Sequence, residues 1–179
     1  MKITILALGT VGDLNPLMAL GLELRQFGYE VKIATHGIFE HLVHAYGFEY
    51  ALIHGDPQEI LSSADGHLIK SLDDSTSYHQ IKACYYFAKM QLAVLEQVLI
   101  DCWQACQGSN AIIYSVLSRN AAASIVEKLQ IPSIGVYLQP IHPTKSFAHP
   151  ISNKQGIWKK SINQLSWQLG EIGMWLPFR

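Results

Sequence analysis

The chain has 179 residues, enough for one domain of ordinary size with a substantial core. It is 49% hydrophobic and only 15% charged, and its formal net charge is -1. The absence of a basic run argues against nucleic acid as a partner, and so apolar a composition suggests surface meant to be covered by something further.

The first element, "KITILAL" (Lys2 to Leu8), reads as a buried strand stopped by Gly9. The opening "MKITILALG" is too short and too soon interrupted for a signal peptide, and no apolar run reaches spanning length. The expectation is a cytoplasmic protein. Leu17, Leu20, Leu24 and Phe27 then recur at helical spacing, with Gly28 as a natural stop. Glu30 to Thr35 reads as a second strand, Ile38 to Tyr46 as a second helix, and Phe48 to Ile53 as a third strand. Asp56 to Ser77 is polar, poorly periodic and read as a mobile excursion. Tyr78 to Gln107 carries a coiled-coil-like seam that includes Leu95, Leu99, Cys102 and Cys106. Its flanks lack complementary charges, so the seam is expected to pack against its own domain.

A fourth strand (Asn110 to Ser115), a helix (Arg119 to Gln130) and a fifth strand (Pro132 to Leu138) follow. Gln139 to Asn153 reads as a proline-rich loop. A final helix places Trp158, Ile162, Leu165, Leu169, Ile172 and Leu176 on one face. Alternating strands and helices with short connections predict an α/β fold: a Rossmann-like, doubly wound parallel sheet with helices on both faces.

In such a sheet, ligands sit outside the carboxyl ends of the strands. Three segments qualify: Gly9 to Asn15, Ser115 to Arg119, and Gln139 to Asn153. The first, "GTVGDLN", joins two glycines to a hydroxyl and a carboxylate, Asp13. Three roles are open to Asp13: starting the helix, meeting a phosphate, or accepting a proton. Asn15-Pro16 favours Asn15 as the N-cap, with Pro16 first in the helix and Asp13 outside it. "GTVGDL" is not GxGxxG, the second strand ends in Thr35-His36 rather than an acid, and no GK[ST] occurs; a dinucleotide site and a P-loop are both disfavoured. His41 and His44 in "EHLVH" lack the order of a zinc motif and read as a solvated face. No metal site is expected. Cys84, Cys102 and Cys106 form no CxxC pair and read as reduced thiols. Trp158, Trp167 and Trp175 with Lys159 and Lys160 could suit a membrane-surface helix, but burial against a missing part of the protein is the preferred reading.

"LGTVGDLNPLMALGLELRQFGYEVKIATH" with "HLVHAYGFEYALI", and "AASIVEKLQIPSIGVYLQPIHPTKSFAHP" later in the chain, resemble two signatures of one lobe. That lobe is the N-terminal, acceptor-binding half of GT-B glycosyltransferases, in the branch of the sterol glucosyltransferases and antibiotic aglycone transferases. The resemblance implies an acceptor lobe over residues 1–153. Residues 154–179 would begin a helical linker towards a missing C-terminal donor lobe. It implies inverting transfer of a hexose from a nucleotide sugar, UDP- or dTDP-linked, to a hydroxyl of a lipid-like or other apolar acceptor. No resident cofactor is implied. Asp13 matches the base that deprotonates the acceptor. Gly9, Thr10 and Gly12 match the loop near the donor phosphates, and Gln139, Pro140, His142 and Thr144 match the acceptor-side wall. Val11 stands where many relatives carry arginine. The implied partners are the apolar hydroxylated acceptor and the donor held by the second lobe, with peripheral membrane contact a further expectation. Two rival readings are the acceptor subunit of a split glycosyltransferase and a nucleotide-binding Rossmann oxidoreductase.

Overall fold

A computed structural model describes residues 1–56, 95–148 and 160–175. The excursion expected over Asp56–Ser77 falls, beyond Asp56, outside the described residues. So do the first part of the long helix, Cys84 and Trp158.

The elements are β1 (Lys2–Leu6), α1 (Val11–Gln26), β2 (Glu30–His36), a 3₁₀ turn (Gly37–Phe39), α2 (Glu40–Ala45) and β3 (Glu49–Ile53). After them come α3 (95–105), β4 (Ala111–Tyr114), α4 (Arg119–Leu129), β5 (Ser133–Gly135) and α5 (Lys160–Trp175). The five strands form one sheet in the order β3-β2-β1-β4-β5. All pairings are parallel, with Lys2 opposite Glu30, Ile3 opposite Ala111, and His36 opposite Ile53. The expected class and sheet therefore hold, and β1 is central.

Strand alternation sorts the core into two layers. Ile3, Ile5 and Ala7 of β1 and its extension point with Val31 and Ile33 to one face, where Leu14, Leu17 and Met18 of α1 and Val43 of α2 cover them. Leu6, Leu8, Ala34 and Ile112 point to the other face, under Cys102 and Cys106 and the Ala121, Ala122 and Ile125 face of α4. The described part of the seam thus packs on its own domain, as expected. Leu14 and Leu17 are fully buried, so truncating either to alanine should cost about 2–5 kcal/mol.

At the amino edge, Glu49 bridges Lys2 (3.0 Å) and Lys32 (3.2 Å) across three strands. The Ala105 carbonyl at the end of α3 accepts from Lys32 Nζ at 3.2 Å and Thr4 Oγ1 at 3.4 Å, cations and donors being favourable at a helix C-terminus.

Three expectations need correction. The fifth strand is shorter than Pro132–Leu138, because after Gly135 the chain turns so that the Tyr137 ring folds back onto the space beside that glycine. Trp167 is fully buried against its own chain: its indole N–H donates to the Phe147 carbonyl at 3.1 Å, and the two rings meet edge to face at 5.9 Å. Leu165 and Leu169 on the same helix remain exposed. The third correction, the start of α1, belongs to the site. No helix among the described residues is long and apolar enough to cross a membrane.

Candidate functional site

Strand order reverses between β1 and β4, so the crevice at their carboxyl ends is where a doubly wound sheet receives ligands. Two of the three expected loops meet there. Ser118 Oγ donates to the Leu6 carbonyl at 2.9 Å and Ser115 Oγ to the Leu8 carbonyl at 3.2 Å, which ties the turn after β4 to the end of β1. Both serines are buried.

α1 begins at Val11, with Thr10 as its N-cap and Pro16 inside the helix. Asp13 is therefore in the first turn, not outside it, and Asn15 is not the cap. The physical reason is a pair of bonds from Thr10 to one carboxylate oxygen: the Thr10 N–H donates to Asp13 Oδ2 at 2.9 Å, and the Thr10 hydroxyl donates to the same oxygen at 3.1 Å. This is the carboxylate arm of a capping box, reinforced by a negative charge at the positive end of the helix. Pro16 forfeits only the bond it would have made to the Gly12 carbonyl. Neither Asp13 bond uses Oδ1, and the side chain is half-buried. The capping role and a place at the crevice thus coincide in one residue.

Gly9 is required twice over. Its φ of +126° is a left-handed conformation, and a Cβ there would run into the Asp13 carboxylate. Gly12 differs: a Cβ would meet only the Thr10 hydroxyl, at 3.5 Å. Its open side leaves room for a ligand to lie against the backbone, and the Val11 and Gly12 N–H groups start a helix without intrahelical acceptors.

His36, at the end of β2, completes this corner. Its Nε2 accepts from the Gly9 N–H at 3.3 Å, which places the proton of the neutral ring on Nδ1. Nδ1 is buried without a hydrogen-bond partner. Burial holds the His36 pKa below its ordinary 6.5, and nearby carbonyls of Ile53 and Gly55 offset this only in part.

One strand further out stands a pair that sequence reasoning missed. The buried Asp101 of α3 accepts, on Oδ2, the His54 backbone N–H at 2.8 Å and bonds His54 Nδ1 at 2.7 Å. Its Oδ1 accepts from the Gln97 amide at 2.8 Å. Burial pushes the Asp101 pKa up, but these three donors outweigh it and hold the carboxyl below the usual range. Forty-seven residues separate the partners, and neither belongs to a motif. The only local signal was a carboxylate beside the apolar seam positions Leu99 and Cys102.

The expected acceptor wall is less assembled. Gln139, Pro140 and His142 are exposed after β5, while Thr144 is half-buried and accepts the Ser146 N–H at 3.1 Å. They follow β5, a strand two positions from β1 and about 10 Å across the sheet from it. His41 and His44 are exposed, and His44 faces Glu40 at 3.6 Å along α2, as a solvated face should. Among the described residues, no three His, Cys, Asp or Glu side chains gather as a metal site would require.

Comparison with known proteins agrees with this architecture. The family profile described as "Glycosyltransferase family 28 N-terminal domain" matches residues 3–148. The sterol 3-beta-glucosyltransferase of Yarrowia lipolytica is 30% identical over 178 residues, covering 98% of this chain and 11% of that protein. The protein of the same name from Pichia angusta is 28% identical over 192 residues, covering 97% and 15%. This chain therefore spans only a small part of these relatives. Among solved structures, the glycosyltransferase SsfS6 of Streptomyces sp. SF2575 superposes with a TM-score of 0.57 at 17% identity, covering 96% of this chain and 44% of that one. The calicheamicin glycosyltransferase CalG4 gives 0.56 at 15%, covering 83% and 34%. At such identities the likeness is one of fold.

Proposed function

The chain belongs to the family of glycosyltransferase family 28 N-terminal domains, and from that premise we propose that it is the acceptor-binding lobe of an inverting hexosyltransferase. The acceptor is a lipid-like hydroxylated molecule, and the names of its relatives favour a sterol. The observation that carries the reading is Asp13: a half-buried carboxylate at the crevice, with Oδ2 anchored by Thr10 and Oδ1 uncommitted.

The chemistry follows from that geometry. A hydroxyl is a poor nucleophile until its proton has somewhere to go. Oδ1 of Asp13 takes that proton as the acceptor oxygen attacks the anomeric carbon, and the bond to the nucleoside diphosphate breaks on the opposite side. Because Thr10 pins the other oxygen, the carboxylate is held rather than free to rotate. The departing diphosphate needs positive stabilisation. Gly9, Thr10 and Gly12 offer it the amino end of α1, and the rest falls to a second lobe outside these 179 residues. Gln139, Pro140, His142 and Thr144 form the outer wall against the acceptor. The nucleotide sugar, UDP- or dTDP-linked, is a co-substrate, and no resident cofactor takes part. An apolar acceptor drawn from a bilayer would bring the enzyme to a membrane surface peripherally.

The test is mass-spectrometric. The full-length protein is incubated with UDP- and dTDP-hexoses and a panel of 3-hydroxysterols and other hydroxylated lipids. A product heavier by one hexose, lost with Asp13→Asn, supports the reading. Transfer that survives Asp13→Asn removes Asp13 from the mechanism, and no transfer to any acceptor removes the function.

A further inference from the structure

The reaction above uses one end of an elongated apolar acceptor and leaves the other end unassigned. It also leaves unexplained why a carboxylate is buried on α3. Burying an ionised Asp101 is costly unless it is fully paired, and here three donors pair it, two of them from His54. The result is a fixed imidazole. Since the ionised carboxylate can only accept, the bond at Nδ1 is donated by the ring, and in the neutral ring Nε2 is left as an acceptor. The His54 side chain is 56% exposed, while that of Asp101 is 6% exposed. The buried partner thus aims an accessible one.

The place matters as much as the orientation. His54 follows Ile53, which pairs with His36, and His36 in turn holds Gly9 beside Asp13. The strands that lead to His54 and to the loop before Asp13 therefore end at the same edge of the sheet, two positions apart, or about 10 Å across it. That separation is comparable with the length of a fused four-ring hydrocarbon skeleton.

We propose that His54, oriented by Asp101, is a second polar anchor of the acceptor cleft, accepting a hydrogen bond from a hydroxyl at the end of the acceptor remote from the reacting one. The anchor rests on the acceptor-lobe reading and sharpens it, since it selects among apolar alcohols by their second polar group. It acts in binding and not in the proton transfer.

The experiment compares three probes on the full-length protein by calorimetry: androst-5-ene-3β,17β-diol, its 17-deoxy analogue and its 17-ketone. The diol should bind about fivefold tighter than either, the worth of one net hydrogen bond. His54→Phe should erase that preference and leave the affinity for the 17-deoxy compound unchanged. His54→Gln, whose amide oxygen can also accept, should restore part of it. Asp101→Asn should weaken the preference by loosening the ring. A diol preference that persists in His54→Phe overturns the anchor, as does equal binding of the three steroids by the unaltered protein, while both results leave the acceptor lobe standing. A 17-ketone that binds best also overturns it, since Nε2 would then be a donor. If none of the steroids binds, the sterol acceptor itself falls and the anchor falls with it.

Discussion

Oδ2 of Asp13 receives both the backbone N–H and the hydroxyl of Thr10, at 2.9 and 3.1 Å. One oxygen of the carboxylate therefore closes the first turn of α1 while the other remains available at the crevice. Capping and proton transfer are usually weighed as alternatives for such a residue. In the proposed mechanism they fall on different atoms of one side chain, and the two roles can be separated by substitution.

Asp13→Asn keeps an oxygen able to accept from the Thr10 N–H but removes the basic carboxylate. In the full-length enzyme, turnover should fall at least about a hundredfold, within the ~10²–10⁴ range of general-base catalysis, with little change in melting temperature. Asp13→Ala should lose both roles and destabilise by an additional ~1 kcal/mol, the usual cost of a cap. Steady-state kinetics beside thermal melts of the two variants separate these effects.

The two glycines of the loop should behave oppositely. Gly9→Ala forces a side chain into a φ of +126° and against the Asp13 carboxylate, so stability should fall by about 1–3 kcal/mol and activity with it. Gly12→Ala meets only the Thr10 hydroxyl at 3.5 Å and should leave the melting temperature unchanged or slightly higher. If donor phosphates approach the backbone there, Gly12→Ala should raise KM for the nucleotide sugar. An unchanged KM would take Gly12 out of the donor loop.

His36 sets a pH dependence. Its folded pKa lies below 6.5 because burial disfavours the charged ring. Between the folded and unfolded values the unfolded chain binds a proton that the native one does not. The contribution of His36 is therefore complete above 6.5 and is lost as pH falls towards the folded value. Protonation would also turn Nε2 from an acceptor into a donor facing the Gly9 N–H, loosening the corner that carries Asp13. The unfolding free energy should decline as pH falls below about 6.5, with a slope of at most about 1.4 kcal/mol per pH unit, and His36→Gln should flatten that decline. The paired Asp101 acts in a lower window. Its contribution is present above 3.8 and is lost as pH falls through its depressed folded value.

The α3 thiols should be inert. Burial pushes Cys102 and Cys106 up to about 12, so almost no thiolate exists at neutral pH. Iodoacetamide followed by peptide mapping should leave both unmodified in the native protein and label both in denaturant. Native labelling at either position would mean that α3 separates readily from the sheet.

Much of this was legible beforehand for a simple reason. Short apolar strands and helices with one buried stripe follow periods of two and about 3.6, and the core layers obey both. Leu17 and Leu24 announced α1 well. Its start is misplaced by the sequence because Asn15-Pro16 imitates a cap followed by a first helical proline, whereas the Thr10–Asp13 bonds close a first turn that begins five residues earlier. β5 is shorter than its sequence suggests because the apolar run through Val136 and Leu138 reads as strand, whereas the fold-back of Tyr137 is a tertiary event. The sequence points Trp167 towards a missing partner because its cover, Phe147, lies in a loop without periodicity. The His54–Asp101 pair was invisible for the same class of reason: long-range pairs between unlike elements leave no local pattern.

The strand order also has a consequence for how the chain is made. β1, β2 and β3, with α1 and α2, are complete once Ile53 has left the ribosome, but β4 is synthesised some seconds later at ordinary elongation rates. Until then the edge of β1 that will pair with β4 is open, and the sheet face bearing Leu6, Leu8, Ala34 and Ile53 has no α3 or α4 upon it. A nascent polypeptide arrested in that interval presents a half-built, sticky surface. Chaperone dependence during translation should therefore peak between synthesis of β3 and synthesis of α4, a window that ribosome-bound intermediates of graded length would resolve.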